Sequence, residues 1–219
     1  STDGGATWHP ARGRETWSYT WQVPAGGTTT LRSRAVDDSG NLEVPNAGIS
    51  VTLGSPQCPC AIWSSAAVPA VADAGPDSSV ELGVRFLSDT AGYITGLRFY
   101  KGSGNTGTHV GNLWSASGAL LASATFAGET ASGWQQVNFS APVAVTANTI
   151  YIVSYHTGVG HFSVNRNYFT STGVDNSPLH APASGVSGLN GVYAYATSST
   201  FPASSWSDSN YWVDVVFHP

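Results

Sequence analysis

The chain has 219 residues, 41% of them hydrophobic and only 10% charged, against roughly 25% charge in an average soluble domain. Eight basic residues face thirteen acidic ones for a formal net charge of -5, a field that a polyphosphate would have to overcome, which argues against nucleic acid as a partner. No apolar run approaches the ~18 residues of a membrane span, and the low charge with abundant Ser, Thr, Gly and aromatic residues is the composition of an extracellular β-protein.

The first turn of the chain carries Ser1, Asp3, Gly5, Thr7 and Trp8 in the order S-x-D-x-G-x-T-W, which resembles an Asp-box. Its glycines permit a tight hairpin, Asp3 can accept N–H groups across it, and Trp8 can fold over the turn, so the motif reads as a folding device. Period-two alternation then predicts strands at 17–21, 28–36 and 48–53. The run 31–41, with Asp37, Asp38, Ser39, Gly40 and Asn41 as its turn, together with 48–53, resembles the last two strands of bacterial immunoglobulin-like domains. Such a sandwich takes ~7 strands, and only three or four fit before Gly54, so residues 1–54 are expected to be the C-terminal part of an immunoglobulin-like domain.

Pro56, Pro59, Pro69 and Pro76 sit among Ala and Ser from 54 to 77; proline cannot donate to a sheet ladder, so 55–77 is expected to be a linker or a packed coil. It holds Cys58 and Cys60, the only cysteines, separated by Pro59. In a turn, residues i and i+2 can approach the ~4.4–6.8 Å Cα separation of a disulfide, and an exported protein meets an oxidising compartment. The alternatives are two free thiols or a soft-metal site needing further ligands.

From 78 to 219 the alternation resumes, with strands predicted at 80–86, 94–100, 110–114, 120–126, 134–139, 150–155 and 211–217. No window of helical period competes, and the expected fold is all-β: a jelly-roll-like β-sandwich preceded by a partial immunoglobulin-like sandwich. The stretch 156–209 is long for a structureless connection, which makes it either a functional loop region or an ordered cap on the sandwich. The motifs VELGVRF at 80–86, GLRFYK at 96–101, Thr106 to His109, GNLW at 111–114, Gly133-Trp134, 151–155 and NYWVDVVF at 210–217 resemble the bacterial DUF4082 module, found in multidomain secreted proteins beside immunoglobulin-like repeats. That resemblance covers 58–219 and implies a β-sandwich accessory domain, with no activity and no binding residues to carry across.

The residues themselves suggest a site. Leu97 and Phe99 share one face of their strand, which sends Arg98 and Tyr100 to the other; Leu113 inward likewise sends Asn112 and Trp114 outward. If these strands are neighbours, Arg98, Tyr100, Asn112 and Trp114 form an aromatic platform with hydrogen-bonding groups, suited to the C–H face and hydroxyls of a sugar. The alternative is that Tyr100 and Trp114 are packing residues. Glu81 and Asp214 fall in the first and last strands of the module, where a structural calcium could bridge them with Asp73, Asp77 or Asp208, or where Arg98 or Arg85 could form an ion pair instead. His156 and His161, with His109 and His180 more distant, read as hydrogen-bonding loop residues; an enzyme would use the 156–161 loop with Asp175 or Asp208. No G-x-S-x-G, H-E-x-x-H or phosphate loop is present. The expected function is a non-catalytic carbohydrate-binding or surface-adhesion module of a larger secreted protein, its partner a polysaccharide or cell-surface glycan, with a structural spacer as the rival.

Overall fold

A computed structural model describes residues 1–21, 27–54 and 58–219; the start of the expected linker, 55–57, lies outside them. The chain divides into two units, Ser1–Pro56 and Gln57–Pro219. Both are all-β, with no helix among the described residues.

The first unit holds four short strands: β1 (Arg12–Gly13) pairs with β2 (Trp17–Ser18), and β3 (Gly27–Leu31) with β4 (Ile49–Leu53). The second expected strand stops at Leu31, because Val36 bridges back to Leu42 over a turn in which Asp37 accepts the N–H groups of Ser39 and Asn41. The opening motif folds on itself: Asp3 accepts from the Thr7 N–H and hydroxyl, and the Trp8 indole donates to the Gly5 carbonyl. None of the described residues of this unit is buried.

The second unit is an antiparallel sandwich. Its strands are β5 (Val71–Ala74), β6 (Val80–Ser88), β7 (Gly92–Lys101), β8 (Val110–Ser115), β9 (Leu120–Thr125), β10 (Gly133–Val145), β11 (Tyr151–Thr157), β12 (Phe162–Val164), β13 (Val174–Asn176), β14 (Leu179–Ala181), β15 (Val192–Tyr195), β16 (Ser204–Ser205) and β17 (Val213–His218). The larger sheet runs β13-β14-β6-β11-β8-β9, with β15 also on β6 and β16 on β15; the smaller runs β10-β7-β17. Alternation decides which residues enter the core. Leu82 and Val84 of β6 stand opposite Tyr155 and Val153 of β11, and Val153 stands opposite Leu113 of β8. From the smaller sheet come Leu97 and Phe99, opposite Val215 and Val213. The sheets meet where the Phe99 ring stacks on Tyr155 at 4.3 Å with Phe126 edge-on at 4.8 Å. Gly111 is required here, since a Cβ would lie 2.1 Å from a Leu97 methyl carbon.

Residues 58–77 belong to this unit and do not form a free linker. Cys58 and Cys60 are joined by a disulfide, Cys60 exchanges two backbone hydrogen bonds with Phe217, and β5 pairs with β12. Ile62 and Trp63 are buried beside the smaller sheet, so the proline-rich coil covers a face instead of spanning a gap.

Candidate functional site

The four residues expected to form one patch do not meet. Arg98 and Tyr100 lie on β7 of the smaller sheet, Asn112 and Trp114 on β8 of the larger one. Both pairs point away from the shared core, and therefore to opposite sides of the sandwich. Period-two reasoning assigns inside and outside correctly for each strand, but only the pairing says which sheet a strand joins.

Nor does either outer face stand open at these residues. Arg98 donates through Nη2 and Nε to Asp214 Oδ2 at 2.7 and 3.0 Å, donates to the Trp63 carbonyl, and lies 4.4 Å over the Trp134 ring. Burial raises the cost of ionising Asp214; the Arg98 charge and the N–H groups of Ile62 and Trp63 offset it. Tyr100 packs edge-on against Trp134 and Trp212. The indole N–H groups of Trp63, Trp134 and Trp212 are all satisfied internally, by Tyr168, the Ala67 carbonyl and Asn165. This cluster fastens the coil of residues 58–70 to the sheet.

On the other side, Trp114 is only 6% exposed: its indole donates to Ser154 and its ring meets Phe201 edge-on at 5.8 Å. The coil that follows β15 covers this face, with Asn112 donating to Ser199 and the Ala196 carbonyl 3.1 Å from His156 Nε2. Beneath it Glu81 is fully buried, accepting from Asn112 and Ser154 through Oε1. Its Oε2 has no partner among the described residues. Burial outweighs the hydrogen bonds and pushes its carboxyl up to about 7. Glu81 and Asp214 thus occupy different sheets and opposite outer faces, and cannot share one cation. The first and last long strands do not pair: β6 lies beside β11, β14 and β15, and β17 beside β7. Asp214 takes the alternative, an ion pair with Arg98.

The polar groups of the enzyme alternative are dispersed. His161 pairs with Asp73 at 2.8 Å, His156 with Ser79, Asp208 accepts from Ser184, and His180 lies 2.7 and 2.8 Å from Asp175 and Asp89. His109, fully buried, bridges Glu129 and Asn105 in the interior.

On the stretch 156–209 the exposed aromatic side chains are Tyr195 and Trp206, and the half-buried Tyr193, which also packs against the core, completes a row with them. Tyr193 and Tyr195, two apart on β15 and hence on one side of it, pack edge-on at 5.6 Å. Tyr195 is 55% exposed, with its hydroxyl held by Asp77 at 2.6 Å. Ser204 of β16 stands opposite Tyr193, and Trp206 follows two residues later, 51% exposed. The Arg166 guanidinium lies 4.9 Å over the Trp206 ring. Tyr211, edge-on to Phe162 at 5.9 Å, is pushed up to about 12 chiefly by burial.

This row rests on rigid backbone. Asn165 and Asn210 exchange two hydrogen bonds, and the N–H groups of Asn167 and Phe169 donate to the carbonyls of Ser207 and Asp208. Asn167, Ser207 and Asp208 all adopt left-handed conformations, with φ of 58°, 51° and 42°. Three such non-glycine residues around one exposed tryptophan mark strain held in place by the surrounding structure, a pattern that favours functional sites. Sequence reasoning passed over Trp206 because no alternation surrounds it. The available signal was a lone tryptophan between Ser204-Ser205 and Ser207-Asp208, with no apolar neighbour to carry it into a core.

A model of the family described as Domain of unknown function (DUF4082) matches residues 66–213. No curated protein matches the chain.

Proposed function

We propose, for a chain that belongs to the DUF4082 family, a non-catalytic role: a carbohydrate-binding or surface-adhesion module of a secreted bacterial protein, with its ligand laid along Tyr193, Tyr195 and Trp206. The observation that carries this reading is Trp206, a half-exposed indole on an immobilised turn with a guanidinium stacked on it. Trp206 is half exposed, and covering its ring with an apolar face is favourable. A pyranose ring offers what the row lacks, an apolar C–H face to stack and hydroxyls for the phenol and guanidinium groups beside it. Preorganised aromatic rings lose little entropy on binding, which is why a rigid turn favours recognition. The Cys58–Cys60 disulfide accords with an oxidising, extracellular setting. The jelly-roll-like reading of the sandwich, and an immunoglobulin-like origin for residues 1–54, belong to the same proposal.

The test is retention on insoluble polysaccharides and a glycan array, comparing the protein with Trp206→Ala. A stacked ring contributes roughly 1–3 kcal/mol, so the variant should bind about tenfold more weakly or worse at an unchanged melting midpoint. Absence of any saturable glycan ligand would sink the reading and leave the spacer role in its place.

A further inference from the structure

We propose that the ligand of this aromatic row is an acidic glycan, one whose carboxylate is met by Arg166; this rests on the glycan-binding reading above and names its class. The second unit has four cations, Arg85, Arg98, Lys101 and Arg166. Two are matched internally: Arg98 by Asp214 and Lys101 by Glu129, each at 2.7 Å. Arg166 has no carboxylate and no hydrogen-bond acceptor among the described residues, and its guanidinium lies over the Trp206 ring. It is exposed, unlike the half-buried Arg85, which also lacks a carboxylate but whose Nε is buried.

Its position is fixed from both sides. Asn165 is tied to Asn210 by two backbone bonds, and Asn167 donates to the Ser207 carbonyl at 2.7 Å, so the residue between them is held beside the turn that carries Trp206. The guanidinium carbon lies 4.9 Å over the indole, its N–H groups have no acceptor among the described residues, and a guanidinium fork matches the two oxygens of a carboxylate. The carboxylates at this end of the module are already engaged: Asp77 accepts from the Tyr195 hydroxyl and Asp208 from the Ser184 hydroxyl. Neither of them pairs with Arg166. A sugar ring stacked in the row would bring a ring carboxylate within reach of a charge that is otherwise unmet.

The experiment uses the full chain, oligouronates of galacturonate, glucuronate and mannuronate, and the methyl ester of each, which removes the charge and keeps the ring. The protein should bind at least one oligouronate about tenfold or more above its ester, and Arg166→Gln should abolish that preference by weakening the acid far more than the ester. Salt near 1 M, where screening acts within ~3 Å, should compress the preference in the same way. Equal binding of acid and ester, or a preference that survives in Arg166→Gln, overturns the acidic-ligand inference. Binding confined to neutral glycans and lost in Trp206→Ala overturns it too, but leaves the glycan-binding reading intact. Binding that Trp206→Ala does not weaken removes both.

Discussion

Replacing Glu81 with glutamine should change how the second unit responds to pH. The carboxyl is fully buried, and burial moves its ionisation from an ordinary 4.5 to about 7. Between those values the folded protein holds a proton that the unfolded chain has released, so stability falls as pH rises through the window and levels off above about 7. At about 1.4 kcal/mol per pH unit, the interval amounts to roughly 3 kcal/mol lost to this one group by pH 8. For a domain of this size that is on the order of 6–12 °C in melting midpoint. Glutamine cannot ionise, and its carbonyl can still accept from Ser154 and Asn112, so Glu81→Gln should flatten this part of the profile. The assay is denaturant or thermal unfolding at half-unit steps from pH 4.5 to 8.5 on both proteins. The readout is the change with pH of the difference between them, because any fixed cost of the amide cancels. Relative to the parent, the variant should gain roughly 3 kcal/mol on going from pH 4.5 to 8. Parallel profiles would refute the reasoning and place the Glu81 carboxylate in a solvated or matched environment.

Three further outcomes are expected. Trp114→Ala should cost about 3–5 kcal/mol in stability, read from its unfolding midpoint, because it empties the space between Ile152, Val192 and Phe201; a change under about 1 kcal/mol would return Trp114 to the surface. Asp214→Asn should cost about 3–5 kcal/mol by leaving Arg98 charged and buried without its anion, and a near-neutral result in urea unfolding would show that the Arg98 head can escape to water. Residues 1–54 expressed alone should show no cooperative thermal transition by circular dichroism, since none of its described residues is buried; a sharp transition from a monomer would contradict this.

The long strands were legible because one side of each faces a core. Leu82, Val84 and Phe86 on β6, or Leu97 and Phe99 on β7, announce themselves by alternation, and the strands predicted at 80–86 and 94–100 run two or three residues longer in the fold. β10 extends past the expected 134–139 to Val145 because its pairing with β7 shifts register after Asn138 and resumes at Val143 opposite Ile94. β5 and β12 to β16 escaped notice because strands of two to four residues, rich in Ser, Ala and Tyr, are too short to display a period. The proposed patch failed for a different reason. Alternation places Trp114 on the outer side of its sheet, but outside a sheet is not the same as outside the protein when an irregular coil lies across it. The same blindness hid Trp206, whose exposure follows from a turn fixed by backbone bonds between residues distant in sequence.

The bridge between Cys60 and Phe217 also sets how the second unit would bear a mechanical load. The two segments run antiparallel, with Cys60 near the start of one and Phe217 near the end of the other, so residues 58 and 219 lie at the same end of the pair. Tension applied between those points pulls the bonds open one after another, as a zipper, instead of shearing them all at once. The Cys60–Phe217 pair would give first, and the next contacts in line are those of Asp214 with Ile62 and Trp63. A modest pull would thus lift the coil from its sheet and wet the buried Arg98–Asp214 pair while the sandwich behind it stays whole. The unit would yield under force in stages, with its covering segment as the first element to give.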